Sequence, residues 1–398
     1  MTLAHILFAY KQFPAPSVSH AGGESLFKLM AEWRRRGHRL TLVARILDEE
    51  RAQLPAVEAL CDAIYTVPHH RSLPGPRPLA MLRSYVAFRR MAARALRETS
   101  PDFLHVETTQ TAAVLAGLRL PPASFRTQDV NWFLHEQSAA HARGWARWLA
   151  QGKAAFFHRF EPWLWRRYAV MLAISEGDRC LLAPYCAQRP LLMLPLTPAV
   201  FPVPPEATSP PASPIAPGPN LLFVGAMSRD HNLAGVGWFL DEVWPRIRAE
   251  VPAARFFIVG GNPPETLRAR ADGQSVVVTG FVDDLAPWYR AAAVFVSPLL
   301  VAGGLLQKVV DAMAMGTPVV ATSVCNHGLG ATPGVHLLTT DAPEDLAAAV
   351  IRLLRDPHAR SQIAAAGQVF IQPYCDIAAA VDAWEQALLR VSNKASER

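Results

Sequence analysis

The sequence predicts an α/β protein made of two Rossmann-like domains, each a doubly wound parallel sheet, facing each other across a cleft. Three observations carry this expectation. Short apolar runs alternate with helix-length amphipathic stretches along most of the 398 residues, which is the pattern of βαβ units. The rhythm breaks between Leu196 and Pro219, where a Pro/Ala/Ser-rich tract cannot bury a core and favours extended backbone. A glycine pair also precedes a helical stretch in each half, at the kind of strand-to-helix turn that binds anions.

The elements follow in order. His5 to Tyr10 reads as a strand and 11–23 as a Pro/Ser/Gly loop. Glu24 to Arg36 reads as a helix with Leu26, Leu29, Met30 and Trp33 on one face, ended by Gly37. Leu40 to Ala44, Phe103 to Val106 and Val170 to Ile174 continue as strands around a helix at Leu79 to Glu98, completing a first domain over 1–195. After the linker at 196–219, strands are expected at Asn220 to Val224, Arg255 to Val259, Ser275 to Thr279, Val294 to Ser297, Pro318 to Ala321 and Val335 to Leu338. Helices fall at Trp238 to Ala249, around Asp311 to Ala314, and at Pro343 to Arg355, giving a second domain over 220–373. Within 374–398, Tyr374 to Val391 carries Ile377, Val381, Trp384 and Leu388 on one stripe, as expected of a helix that packs back onto the first domain.

Composition narrows the classes. An apolar fraction of 51% with 18% charged residues supplies two cores and excludes wholesale disorder. No apolar run reaches the roughly 18 residues of a membrane span, and the first strand lacks a signal peptide's basic head and cleavage site, so a cytoplasmic location is expected. Five scattered cysteines without a CxxC pair predict free thiols and no metal site. The formal charge of +6 suits anionic partners without choosing among them. Helix-turn-helix, zinc-knuckle and RNP signatures are absent, so no nucleic acid is expected. In 143–167, Trp145, Trp148, Trp163 and Trp165 interleave with Arg, Lys and His. That composition suits a peripheral membrane surface, and equally a helix pair with its tryptophans in the core.

Phosphate binding in such folds uses backbone N–H groups at a helix N-terminus, with glycine allowing close approach. The candidates are Gly22 and Gly23 in the first half, and Gly303 and Gly304 with Leu305 in the second. Beside the second turn, Lys308 offers a cation for phosphate oxygens and Asp311 a carboxylate for ribose hydroxyls, both near one face of a short helix. Arg229 and His231, in the loop after the strand that ends at Val224, add positive charge.

These residues carry a resemblance. Through FVGAMSRDHN, FFIVGG, VVVTGFVDDLAPWYRAAAVFVSPLL, GGLLQKVVDAMAMGTPVVAT and GVHLLTTDAPEDLAAAVIRLLRDP, the second half resembles the nucleotide-binding domain of family 4 glycosyltransferases, which are retaining enzymes of the GT-B fold. The first half is similar more weakly, through AGGESLFKLMAEWRRRGHRLTLV, PDFLHVE and LAISEGD. The resemblance implies a nucleotide-diphosphate sugar as donor substrate, no separate cofactor, and a glycan, lipid-linked or small-molecule acceptor. It implies that Gly22 and Gly23 approach the donor diphosphate, that Phe281 and Val282 line the base pocket, that Asp311 holds the ribose, and that Gly304, Leu305 and Lys308 meet the phosphates.

The departures from the family pattern matter as much. Its pair of glutamates separated by seven residues is here Gly303 and Asp311, and its phosphate-loop Arg and Lys fall at Ala226 and His231. Phosphate charge must then come from Arg229, Lys308 or His231. In the first half, two positions usually held by His are Glu107 and Gln128. Glu107, Asp129 and Glu136 are carboxylates able in principle to deprotonate an acceptor, which would suit inversion. A retaining transfer needs no such base when the leaving phosphate takes the proton, and the resemblance favours it. The same departures keep open a non-catalytic GT-B partner subunit that binds sugar nucleotides, and a nucleotide-sugar epimerase. A dehydrogenase is disfavoured, because no GxGxxG follows a strand with an acidic residue about 20 positions on.

Overall fold

The computed structural model describes residues 3–16, 18, 21–195, 215–302 and 304–396. Most of the expected linker, 196–214, and the expected site residue Gly303 lie outside them. The described residues form two compact units, one of residues 3–195 with 376–396 and the other of residues 215–375.

The principal elements of the first unit are β1 (His5–Tyr10), α1 (Ala21–Arg35), β2 (Arg39–Ile46), β3 (Ala63–Pro68), α2 (Arg77–Thr99), β4 (Phe103–Glu107), β5 (Ala123–Thr127), α3 (Asn131–His141), α4 (Gly144–Trp165), β6 (Val170–Ala173), α5 (Glu176–Leu182) and β7 (Leu191–Met193). The strands form one parallel sheet in the order β3-β2-β1-β4-β5-β6-β7. Successive side chains of a strand point to opposite faces, so Ile6, Phe8 and Tyr10 enter one core while Leu7 and Ala9 enter the other. Both faces are covered, which is why β1 reads as an unbroken apolar run.

The second unit repeats the plan with β8 (Asn220–Val224), α6 (Asp230–Trp238), β9 (Arg255–Val259), β10 (Val276–Gly280), β11 (Val294–Ser297), α7 (Gln307–Ala314), β12 (Val319–Ala321), β13 (Leu338–Thr339), α8 (Pro343–Arg355) and α9 (Pro357–Cys375). Its parallel order is β10-β9-β8-β11-β12-β13. Each sheet reverses its winding beside its first strand, between β1 and β4 and between β8 and β11. At such a point the flanking loops part and leave a crevice at the carboxyl ends of the strands.

The last helix, α10 (Ile377–Ser396), belongs to the first unit. Trp384 is fully buried, 5.0 Å from the Trp33 ring and 4.5 Å from His105, and Val381 and Leu388 join the same core. Arg36 fastens the helix by donating to Asp382, to Glu385 at 3.2 Å and to the Ala378 carbonyl at 2.8 Å. Tyr374 lies in α9 instead, because Asp376 separates the helices and its carboxylate accepts from the Ala379 N–H at 2.9 Å, as an N-cap does.

Other boundaries differ from expectation for identifiable reasons. Helix α1 starts at Ala21, so Gly22 and Gly23 lie in its first turn. The helix expected from Trp238 begins at Asp230 and runs through a π-helical turn at Phe239–Val243. At Gly235 within this helix a Cβ would come within 2.6 Å of the Pro298 carbonyl, so the glycine serves close backbone packing. The strand expected at Val335 to Leu338 is only Leu338–Thr339, and α9 was not anticipated. Of the four tryptophans in 143–167, Trp165 is fully buried, whereas Trp145, Trp148 and Trp163 are exposed. No described helix is long and apolar enough to cross a membrane.

Trp384→Ala should cost about 3–5 kcal/mol of unfolding free energy in urea, the range for emptying a buried aromatic site. Trp145→Ala on exposed α4 should stay within about 0.5 kcal/mol of the parent protein.

Candidate functional site

In the second unit the strand β8 ends at Val224, and Gly225 opens the turn that follows. A Cβ on Gly225 would lie 2.8 Å from both the Lys308 ammonium and the Asn232 amide nitrogen, so glycine is what leaves room for the cation. Lys308, in the first turn of α7, donates to Asn232 Oδ1 at 2.7 Å and lies 4.2 Å from the centre of the Phe223 ring. The Asn232 amide in turn donates to the Ala226 carbonyl at 2.9 Å. A neutral amide and a ring face replace little of the ammonium's hydration. Burial draws its pKa from the usual lysine value to about 7, with Cys325 opposing the shift and Arg229 adding to it.

The other expected residues of this unit surround the same switch point. Gly304 has a φ of 60°, and its carbonyl presses on Gly328, where a Cβ would come within 1.8 Å. Leu305 is buried, so what it can offer a ligand is backbone. The residue before α7, Leu306, supplies no side-chain cap for the first turn. Arg229 is the N-cap residue of α6 and His231 lies in that helix's first turn, both exposed. Although exposed at its surface, the His231 imidazole is partly desolvated by its surroundings, and this, with Lys308 and Arg229, holds it below its usual pKa. Asp311 is buried at 3% exposure and accepts from Gln307 Nε2 at 2.9 Å, so it is not a solvated helix residue. Phe281, directly after Gly280, is 78% exposed beside Gly261, and Val282 is half-buried.

In the first unit, Gly22 and Gly23 are buried. The Gln128 amide covers Gly22, where a Cβ would meet it at 2.5 Å. Gln128 Nε2 donates to Glu107 Oε2 at 3.0 Å, while Glu107 Oε1 accepts from Arg126 Nε at 2.7 Å and bonds His105 Nε2 at 2.9 Å. His105, Glu107 and Arg126 are fully buried. Burial alone would raise the Glu107 pKa, but Arg126, His105 and Gln128 outweigh it and hold the carboxyl below its usual value. This environment argues against a base at Glu107. A carboxylate engaged on both oxygens, sealed from solvent and stabilised in its charged form is poorly placed to take an acceptor's proton.

The remaining carboxylates separate. Asp129 is exposed, and Glu136 lies on α3, lining a groove against α4. Sequence reasoning missed Asp178, which is buried on α5 and near enough to Asp129 to feel its charge. Burial raises its pKa to about 7; the Ser175 hydroxyl, donating at 2.6 Å, opposes the shift and Asp129 adds to it. Ser175 also accepts from the Asp178 N–H at 3.0 Å, so the sequence SEGD reads as helix capping and hides the carboxyl's environment. Thr108, the first residue after β4, has a φ of 70°, a strained backbone for a β-branched residue that stands at the switch point.

Two parallel doubly wound units with glycine turns at their switch points define the GT-B class of fold, and comparison with known proteins agrees. Residues 22–196 match the glycosyl transferase 4-like domain and residues 218–356 match glycosyl transferases group 1. The chain belongs to the GT-B glycosyltransferases of the group 1, family 4 type. Among solved structures it is similar to sucrose-phosphate synthase from Thermosynechococcus elongatus, with a TM-score of 0.71 at 15% identity over 99% of this chain and 98% of the other. It is also similar to Anabaena HepE in complex with UDP-glucose, with a TM-score of 0.63 at 15% identity over 98% and 100%. Among curated proteins it is 31% identical over 163 residues to a phosphatidyl-myo-inositol mannosyltransferase of Mycobacterium leprae, covering 39% of this chain and 43% of that protein. It is 28% identical over 165 residues to an uncharacterized 44.6 kDa protein in the cps region of Klebsiella pneumoniae, covering 39% and 42%. The match thus spans about two fifths of the length of these curated relatives.

Glu107→Gln should destabilise the fold by about 3–5 kcal/mol, because it strands the buried Arg126 guanidinium. Urea unfolding checks this, and a variant of parental stability would return Glu107 to the candidate bases.

Proposed function

We propose that the chain transfers a hexosyl group with retention from a nucleotide-diphosphate sugar to a glycan, lipid-linked or small-molecule acceptor, without a separate cofactor. The observation that carries this reading is the Lys308 ammonium at the head of α7, lodged over Gly225 with a neutral amide as its hydrogen-bond partner. A phosphate there would supply the counter-charge that the fold withholds, and Lys308 would stabilise negative charge growing on the leaving diphosphate. The backbone of Gly304 and Leu305 would approach the same phosphates, with Arg229 and His231 adding charge from α6; Gly303, outside the described residues, stays a candidate from the sequence alone. Phe281 offers a ring face to the base, with Val282 beside it, and Asp311 would accept from the ribose once Gln307 yields. In the first unit, Gly22 and Gly23 are carried as diphosphate-binding candidates by the resemblance to the family, and the Gln128 amide covers Gly22.

Retention is supported by the engagement of Glu107, since a leaving phosphate that takes the acceptor's proton makes an enzyme base unnecessary. Asp129 would then tune charge rather than act as the base. A uridine nucleotide is the first donor to try, because the similar HepE was solved with UDP-glucose. A membrane-held acceptor is supported by α4, whose Trp145, Trp148, Phe156 and Trp163 are exposed, and fits the name of the mycobacterial relative.

Nucleotide sugars incubated with purified protein and acceptor mixtures should give a glycosylated product with the donor's anomeric configuration. Tight nucleotide binding without transfer or hydrolysis would replace the enzyme by a binding subunit, and acceptor-free interconversion of the donor by an epimerase. Lys308→Ala should lower kcat by about tenfold to a thousandfold, the effect of one charge-stabilising group. Asp311→Ala should mainly raise the donor KM, and Asp311→Glu should be tolerated.

Lys308 also predicts a pH dependence. The folded pKa of about 7 is far below that of an unfolded lysine, so the unfolded chain binds the extra proton between these values and stability rises with pH across that window. Diphosphate binding favours the charged form, so binding takes up a proton above neutrality and weakens as pH rises. Calorimetry of nucleoside diphosphate binding in buffers of different ionisation enthalpy should detect this uptake, and Lys308→Gln should abolish it.

A further inference from the structure

Helices α3 and α4 pack side by side and leave between them a groove of about 630 Å³. From α4 its walls carry Arg147, Gln151, His158 and Arg159, Glu136 faces them from α3, and alanines from both helices line the rest. Small side chains leave the depth and the arginines set its charge. The single carboxylate of α4, Glu161, is not among the groove's lining residues: it is buried and engaged elsewhere, accepting from Thr109 and Asn131 at 2.7 Å.

The outer stripe of α4 adjoins this groove. Trp145, Leu149, Phe156 and Trp163 recur at helical spacing and are all more than half exposed. Phe160 stacks on Phe156 at 5.2 Å and on Trp163 at 5.7 Å, making the stripe continuous. Trp148 and Arg159 lie along the edge between stripe and groove. A helix that sinks aromatic rings into the acyl boundary brings its flanks to the level of the lipid phosphates.

We infer that the α3–α4 groove binds the phosphate-bearing headgroup of a membrane lipid while the adjacent aromatic stripe enters the bilayer. The inference rests on the membrane reading above and adds a site to it. Arg147 and Arg159 present planar forks that match two phosphate oxygens, and Gln151 and His158 can donate to the same anion. The exposed stripe identifies the source as a bilayer lipid, since a soluble phosphate needs no aromatic surface beside it. Glu136 sets a limit on anionic charge and favours a headgroup that also carries hydroxyls for it to accept from.

Flotation of the full chain on galactolipid vesicles tests this, with the bilayer made anionic either by phosphatidylglycerol or by oleate at matched zeta potential. The oleate carboxylate lies at the acyl boundary and cannot rise into the groove, whereas a phosphodiester with its glycerol head can. Partition should be about fivefold stronger on phosphatidylglycerol, the scale of one charge-assisted hydrogen-bonded contact. Ala155→Trp and, from the facing helix, Ala140→Trp fill the groove without changing charge, and each should reduce partition on phosphatidylglycerol to the oleate level while leaving the oleate value unchanged. Circular dichroism checks that the variants fold. Equal partition of the parent chain on both vesicles, or a preference that survives both variants, would overturn the groove and leave the membrane reading standing. No partition on either vesicle would overturn both.

Discussion

A parallel sheet buries both of its faces, and that constraint organises this protein. Each strand must be followed by a helix that returns over the sheet, so the turns leading into those helices gather at the carboxyl edge. Where the winding reverses, adjacent turns diverge and their backbone N–H groups and side chains are left to a ligand. In the second unit this brings together the Gly225 turn after β8 and the Gly304–Leu305 turn ahead of α7. In the first it brings the head of α1 beside Gln128 and the strained Thr108.

Charge at these two edges is handled in opposite ways. In the second unit, Lys308 is set over glycine and an aromatic ring with a neutral amide as its partner, so its charge is available to an incoming anion and its pKa is drawn toward neutrality. In the first unit, Glu107 is locked against Arg126 and His105, and its second oxygen orients the Gln128 amide over Gly22. The first arrangement gives a cation a neutral partner, and the second holds a neutral polar group in place. His105 also touches Trp384 of α10, so the chain's last described helix braces the network that carries Gln128.

The α3–α4 hairpin follows β5 in the first unit. Its inner face is ordinary core, with Leu164 and Trp165 buried. Its outer face has the aromatic and cationic composition of an interface, and the alanines that let the two helices pack also open a groove between them. One short segment thus presents core on one side and an exposed aromatic and cationic surface on the other.

Much of this architecture was legible in the amino-acid order, because it depends on local rules. Apolar runs buried on two faces and amphipathic helices declare themselves over a few residues, which is why most strands, Lys308 beside its turn and the stripe of α10 could be read directly, whereas the less continuous runs of β3, β5 and β7 were not expected. What the sequence could not decide depends on residues far apart in the chain. Glu107 is one of several carboxylates in the sequence, and only its pairing with Arg126 and His105 argues against a role as a base. Nothing local marks Asp178, whose pKa is raised by burial and Asp129, or Gly235, against which the Pro298 carbonyl packs. Four tryptophans in one segment could not be divided into one buried and three exposed without knowing which face of α4 meets the core. The sequence by itself determined the two parallel sheets and the residues available at their edges; only the tertiary structure decided which of those residues stay open to a ligand, because burial and pairing depend on distant neighbours.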